Sequence, residues 1–580
     1  MLAQEVSRIP LRRVACSPKG KHNGRQQIRK FYSQEEIKNI FISEFPPECS
    51  PGFPPKGTIL SSGWKLGTKH CIGAKPLRFV VKDNIATTNH GSPTTCASKI
   101  LHSYKSPFAA HVVERLSQVS ENLGKTNLDE FGMGSHNQNS YYGPLSDHQG
   151  YSIGGSSGGS AIAVALRKAT IGLGTDTGGS VRLPAAYTGT CGFKPSYGMI
   201  SRWGVIPYAN SLDTVGVIAP SARHVKSAFN IVQGYDERDP TSLMPSTRLR
   251  IQKQQELAEE KRRLSNTNPS IERIEPNNEQ RPCTETETKE SSTSHEHEQT
   301  WRLRLDGIKI GVPLEYNIAE MSPQMRRIWQ MALIAMQRIG ADIVPISLPN
   351  TKHALSAYYV LAPAEAASNL SKYDGVRYGY REEVQSNASE NVLYSHTREQ
   401  GFGQEVKRRI LLGSYTLSSD AIDNYFIKAQ KVRRLVQRDF DRVFRTPNPL
   451  RPVEQFDLSD MDESVLLENK LGPPQVDFIV APTAPTRAPK IEDVKAETSA
   501  ALYVNDVFTV PASLAGIPAI SIPWQTSTPK GFTGIQIMGQ FGDDFQLLDF
   551  AKNFEQHLQT IQKEKARNLA STQEDDRSES

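Results

Sequence analysis

Between residues 76 and 242 the apolar positions come in short β-branched and aromatic runs, broken by glycines and by stretches of helical spacing. Leu77 to Val81 predicts a strand, Ala110 to Leu116 part of a helix, and Ser160 to Ala169 a helix following a glycine-rich turn. Further on, Leu305 to Pro313 (LDGIKIGVP) predicts a turn leading into a strand, and Gln324 to Ile339 a helix. Glu405 to Leu411 and Asp423 to Phe440 carry helical periodicity, and Val476 to Pro482 reads as a buried strand. This alternation predicts an α/β fold: one large domain with a mixed central β-sheet surrounded by helices and with functional loops at strand ends. A doubly wound nucleotide-binding sheet is the runner-up, weakened because its glycine fingerprint is missing.

The pattern is interrupted in several places. Residues 1–33 hold Arg8, Arg12, Arg13, Lys19, Lys21, Arg25, Arg29 and Lys30 against one acid, Glu5, with Ile9, Leu11 and Val14 interspersed. An Arg-rich, acid-poor leader without a continuous apolar segment predicts import into the mitochondrial matrix rather than secretion. Residues 34–75 read as a divergent helical and loop region, and 76–242 as the first part of the core. Residues 243–303 lose Phe and Tyr and run through TETETKE, which predicts a low-complexity surface insertion, with Gln252 to Leu264 as an exposed helix. The second part of the core spans 304–555, with a further surface insertion near 446–475, and 556–580 form a polar tail.

At 580 residues, 37% of them hydrophobic, the chain is long enough to bury a full-sized core. The balance of 68 basic to 62 acidic residues is too even to identify a nucleic-acid binder. The best apolar run, Ala161 to Leu166, ends at Arg167 and Lys168, far short of a spanning helix. Six cysteines at 16, 49, 71, 96, 191 and 283 form no CxxC pair, which predicts free thiols in a reducing compartment and no structural zinc.

Three short pieces carry the candidate chemistry: Lys82-Asp83-Asn84 after a strand, the glycine- and serine-rich Gly154 to Ser160 (GGSSGGS), and Asp176 to Ser180 (DTGGS). Each alone is weak, since a strand-end lysine is usually solvated and a Ser/Gly cluster is usually a turn. A phosphate-binding loop is disfavoured because GxxxxGK[ST] is absent, and HExxH is absent too, so no metal is called for. Asp129 and Glu130 are adjacent acids, for which a structural role is the better reading.

With the three pieces in this order, the chain resembles the amidase signature family of serine hydrolases, strongly over 76–242 and less uniformly over 305–550. The resemblance implies Ser180 as the nucleophile, Ser156 as a proton relay preceded by a cis peptide bond, and Lys82 as the base. It also implies that main-chain groups of Thr177, Gly178, Gly179 and Ser180 form the oxyanion hole. A solvated lysine is protonated, so Lys82 must be desolvated enough to be neutral if it is to act this way. Asp176 and Arg182 are read as organising the loop, with a structural ion pair for Arg182.

Further motifs narrow the resemblance to the A-subunit family of glutamyl-tRNA(Gln) amidotransferases. They are Gly124 to Phe131 (GKTNLDEF), Asn139-Ser140, Ser196 to Arg202 (SYGMISR), Asn210 to Asp213 (NSLD), Asn369 to Gly379 (NLSKYDGVRYG) and Gly401 to Gly413 (GFGQEVKRRILLG). That resemblance implies a free-glutamine pocket of Tyr358, Arg409 and Asp506, with Tyr359 and Arg408 as neighbouring alternatives. Arginine suits the α-carboxylate and aspartate the α-ammonium group. It further implies ammonia passed to a B subunit, a small accessory subunit, Glu-tRNA(Gln) reached through the complex, and ATP and Mg used by the partner, with no cofactor in this chain. Departures lie at 36–76, where Gly73 to Pro76 (GAKP) replaces the usual approach to the base-bearing strand, and at Arg115 to Gly124. The competing readings are a stand-alone amidase on another small amide and a non-catalytic assembly subunit.

Overall fold

The computed structural model describes residues 37–45, 77–266, 305, 307–382, 394–452, 476–525 and 532–560. The leader at 1–33, Cys16, Cys49, Cys71 and Cys283, and most of the two insertions lie outside them.

Strand β2 (Leu77–Lys82) shows why the sheet forms where it does. Phe79 and Val81 join the largest apolar cluster while Val80 joins a second one on the opposite face, so alternate side chains are buried on both sides. Around it the described residues form one eleven-stranded sheet: β1 (Phe41–Glu44), β3 (Ser120–Thr126), β4 (Ile171–Asp176), β5 (Cys191–Lys194), β6 (Thr214–Ala219), β7 (Lys309–Pro313), β8 (Asp342–Ile346), β9 (Phe478–Pro482), β10 (Ala519–Gln525) and β11 (Phe532–Met538) complete it in the order β1-β3-β2-β4-β6-β5-β10-β11-β9-β7-β8. The β3-β2-β4 and β9-β7-β8 neighbours are parallel and the rest antiparallel. The sheet is therefore mixed, and the doubly wound alternative is set aside.

Helices pack around the sheet. They include α1 (His111–Ser117), α2 (Gly158–Ala165), α3 (Arg182–Thr188), α4 (Ala222–Val232), α5 (Pro245–Asn266), α6 (Pro323–Arg338), α7 (Ala354–Leu370), α8 (Gln404–Thr416), α9 (Lys428–Val443) and α10 (Val510–Ala515). In α6 the Ser322 hydroxyl caps the N-terminus by accepting from Met325 N at 3.2 Å. Met325, Ile328, Trp329, Ala332, Leu333 and Met336 then form one buried stripe at helical spacing.

The structure corrects the expected elements in four places. Within the region read as helix and loop, Phe41–Glu44 is an edge strand pairing antiparallel with β3. Helix α2 begins two residues earlier than expected, inside the glycine cluster. Helix α5 starts seven residues before Gln252 and docks its first turns: Ile251 is buried, and Arg248 donates to the carbonyls of Gly198, Met199 and Gly234. Segment 423–440 opens as a π-turn over Asp423–Ile427 before α9.

Candidate active site

Parallel strands β2 and β4 finish at the same end of the sheet, which brings Lys82 beside Thr175, just ahead of the loop that begins at Asp176. Lys82 is fully buried; its Nζ lies 2.7 Å from Ser156 Oγ, 3.0 Å from Thr175 Oγ1 and 3.3 Å from the Thr175 carbonyl. Burial pulls its pKa from 10.5 down to about 7, against the opposing pull of Asp129, Asp176 and Asp213. Asn84 Nδ2 also donates to Thr175 Oγ1, at 3.0 Å.

Ser156 arrives on the loop that enters α2, and the Gly155–Ser156 peptide bond is cis. Gly154 adopts φ +77° and sits where a side chain would run into the Pro184 backbone, so this loop requires glycine there. Helix α2, all small or apolar, is fastened to the sheet by the Ser160 hydroxyl, which bonds Thr126 Oγ1 and the Leu173 carbonyl at 2.7 and 2.9 Å. Ser180 comes in from the other side, after β4. Ser157 N donates to its carbonyl at 3.1 Å, and its side chain is only half-buried whereas Ser156 is fully buried.

The loop from Asp176 to Ser180 is braced from below. Arg182 and Asp176 form a fully buried two-pronged pair, Nε to Oδ2 at 2.9 Å and Nη2 to Oδ1 at 2.8 Å. Burial alone would raise Asp176, but the Arg182 guanidinium holds it below its ordinary value. The remaining Arg182 donors reach the carbonyls of Gly178 and Thr509, Gln536 Oε1 and Ser513 Oγ. Thr177 Oγ1 donates to Asp213 Oδ1 at 2.7 Å. Arg182 thus joins its loop to β11 and α10, the organising role its position suggested. Asp129 and Glu130 are equally structural: Asp129 accepts from the Asn137 and Asn139 amides, and Glu130 from Ser98 Oγ and Gly403 N.

A second group of residues lies against this loop. Tyr358 on α7 is buried with its hydroxyl 2.7 Å from where a Cβ on Gly178 would stand. Tyr359 donates its hydroxyl to Asp506 Oδ2 at 3.1 Å, and Ser135 Oγ donates to the same oxygen at 2.9 Å. Arg409 on α8 is buried, whereas the side chain of Arg408 is 52% exposed. Tyr358 thus reaches Gly178 and Tyr359 reaches Asp506. Arg409 donates from Nη1 to Tyr208 OH at 2.6 Å and from Nε to Glu405 Oε1 at 2.8 Å. Ser135, Tyr208, Tyr503 and Glu405 were not singled out from sequence. Of these only Glu405, four positions before Arg409 on a helix, carried a readable signal.

A family profile described as amidase matches residues 77–268 and 270–548. This chain belongs to the amidase family. Among its relatives is a Podospora anserina protein named as the mitochondrial A subunit of glutamyl-tRNA(Gln) amidotransferase, 50% identical over 554 residues that span 94% of this chain and 100% of the relative. A Fusarium vanettenii protein of the same name is 52% identical over 83% of this chain and 87% of its own length. Among solved amidase-family structures, the A subunit of the Thermotoga maritima glutamyl-tRNA(Gln) amidotransferase aligns with a TM-score of 0.59 at 30% identity, over 92% of this chain and 90% of that one. Among the described residues, no group of three or more His, Cys, Asp or Glu side chains is arranged to hold a metal ion. None of their helices is long and apolar enough to cross a membrane.

Proposed function

We propose that this chain is the glutamine-hydrolysing A subunit of a mitochondrial glutamyl-tRNA(Gln) amidotransferase. The observation that carries the reading is the buried Lys82–Ser156 contact beside Ser180, together with a neighbouring cluster in which Tyr359 links one buried cation, Arg409, to one buried carboxylate, Asp506. Glutamine is a zwitterion attached to a primary amide, and the two charges suit its α-carboxylate and α-ammonium group.

Neutral Lys82 takes the Ser156 hydroxyl proton as Ser156 takes that of Ser180, and Ser180 Oγ bonds to the carboxamide carbon. Main-chain groups of Thr177, Gly178, Gly179 and Ser180 stabilise the tetrahedral oxyanion. The C–N bond then breaks and the proton returns through Ser156 to the leaving nitrogen, releasing ammonia and a glutamyl ester on Ser180. Water, activated by the same relay, hydrolyses the ester to glutamate. Tyr358 and Tyr359 close the pocket around the bound amino acid. Ammonia passes to the B subunit, which uses ATP and Mg to convert Glu-tRNA(Gln) to Gln-tRNA(Gln), with a small accessory subunit completing the assembly.

The test is glutamine-dependent ammonia release and Gln-tRNA(Gln) formation by the reconstituted complex, with Ser180→Ala beside the parent chain. Loss of both supports the reading. Ammonia release that survives Ser180→Ala moves the nucleophile to another residue or subunit.

A further inference from the structure

The guanidinium of Arg409 is held by more than the pocket needs for charge. Glu405, one turn earlier on α8, accepts from Arg409 Nε through Oε1, and the Tyr503 hydroxyl donates to that same oxygen at 3.3 Å. The other oxygen of Glu405, Oε2, is taken by Arg408 Nη1. The rings of Tyr208, Tyr359 and Tyr503 surround the guanidinium, with centroids 5.8, 5.4 and 5.8 Å from its central carbon. Tyr359 and Tyr503 stack at 3.8 Å.

Nε and one Nη1 proton are committed to Glu405 and Tyr208, so the direction in which Arg409 can present a two-pronged edge is set by Glu405. A carboxylate beside an arginine would also cancel the charge the ligand must meet. Here Arg408 shares that carboxylate, so two cations face one anion and one positive charge remains for the pocket.

We propose that Glu405 is a positioning residue for substrate binding: it aims Arg409 at the α-carboxylate of the incoming amino acid, and Arg408 keeps it from neutralising Arg409. The inference rests on Arg409 contacting that carboxylate.

The experiment measures kcat and KM of the full chain with its partner subunits on two substrates. One is glutamine; the other is 4-aminobutanamide, which keeps the amide and the amine but has no carboxylate. Glu405→Ala is expected to raise the glutamine KM about tenfold with kcat changed by less than about twofold, and to leave kcat/KM for 4-aminobutanamide as it was. Glu405→Gln, which still offers an oxygen to Nε, restores most of the loss. Arg408→Gln raises the glutamine KM without removing Arg409. An equal fall on both substrates, or a fall confined to kcat, makes Glu405 a fold-stabilising residue and overturns the inference. If Arg409→Ala raises the glutamine KM and Glu405→Ala does not, the pocket reading stands and this inference fails. If Arg409→Ala acts equally on both substrates, the pocket reading itself fails.

Discussion

Lys82 Nζ lies 2.7 Å from Ser156 Oγ with both side chains sealed from solvent, so any charge on that lysine is carried inside the protein. Desolvation brings its pKa to about 7. Only the neutral amine can take a proton, so kcat/KM for glutamine is expected to rise with pH through about 7 and level off above about 8. At pH 6 roughly a tenth of the plateau remains, because the neutral fraction falls about tenfold per unit below the pKa. A pH–rate profile checks this, and a profile flat from 5.5 to 8.5 would contradict Lys82 as the base. Lys82→Met should abolish ammonia release at every pH.

The Asp176–Arg182 pair is expected to support stability as well as loop shape. Asp176→Asn leaves the Arg182 guanidinium buried without its counter-charge, a loss of about 3–5 kcal/mol. The shift should appear in the denaturation midpoint. Because the folded pKa of Asp176 is depressed, the pair contributes fully above the ordinary value of 3.8 and is lost as pH falls through the lower folded value. The variant should therefore lose less stability than the parent over that acid range.

Much of the frame was legible because single segments declare themselves. Phe79 and Val81 alternate with Val80, Trp329 sits in an unbroken helical stripe, and Phe478–Pro482 is a short apolar run with a boundary at each end. Strand β1 was not legible. Phe41–Glu44 is four residues long with only two apolar side chains, and it is a strand because β3, some eighty residues later, offers it a partner. The start of α2 was hidden for the opposite reason: Gly158 and Gly159 read as turn. They are helical here because the helix is clamped to the sheet through Ser160. The pocket mixes both cases. Arg409 and Asp506 stood out through motif resemblance, but Tyr208 reaches Arg409 from 201 positions away and Ser135 reaches Asp506 from 371, separations that no local pattern encodes.

Gly178 tests the backbone assigned to the oxyanion hole. A Cβ there would come within 2.7 Å of the Tyr358 hydroxyl and 2.8 Å of its ring carbon. Tyr358 is buried and cannot retreat freely, so Gly178→Ala should push the loop amides off their target. A misdirected oxyanion donor costs about a hundredfold or more in kcat. The expected result is that loss with a thermal midpoint within a few degrees of the parent, read by ammonia release and thermal denaturation. Gly179→Ala, whose Cβ would overlap Thr509 Oγ1, should behave alike. Near-parent kcat in both variants would remove these amides from the mechanism.

Asp506 separates a glutaminase from an amidase of another small amide. Its side-chain hydrogen bonds from Ser135 and Tyr359 both fall on Oδ2, so in the proposed reading Oδ1 is the oxygen that meets the α-ammonium group. Burial leaves its pKa raised above the ordinary value, with the hydrogen bonds from Ser135 and Tyr359 and the charge of Arg409 opposing that shift. Asp506→Asn keeps the shape and removes the charge. The glutamine KM should rise by about ten- to a hundredfold, the scale of losing a charge-assisted hydrogen bond in a buried site. Glutaramate, which keeps the amide and the carboxylate but has no amine, should be hydrolysed equally by parent and variant. Equal losses on both substrates would mean that Asp506 shapes the pocket without reading the ammonium group, and unchanged glutamine kinetics would favour a different amide as the natural substrate.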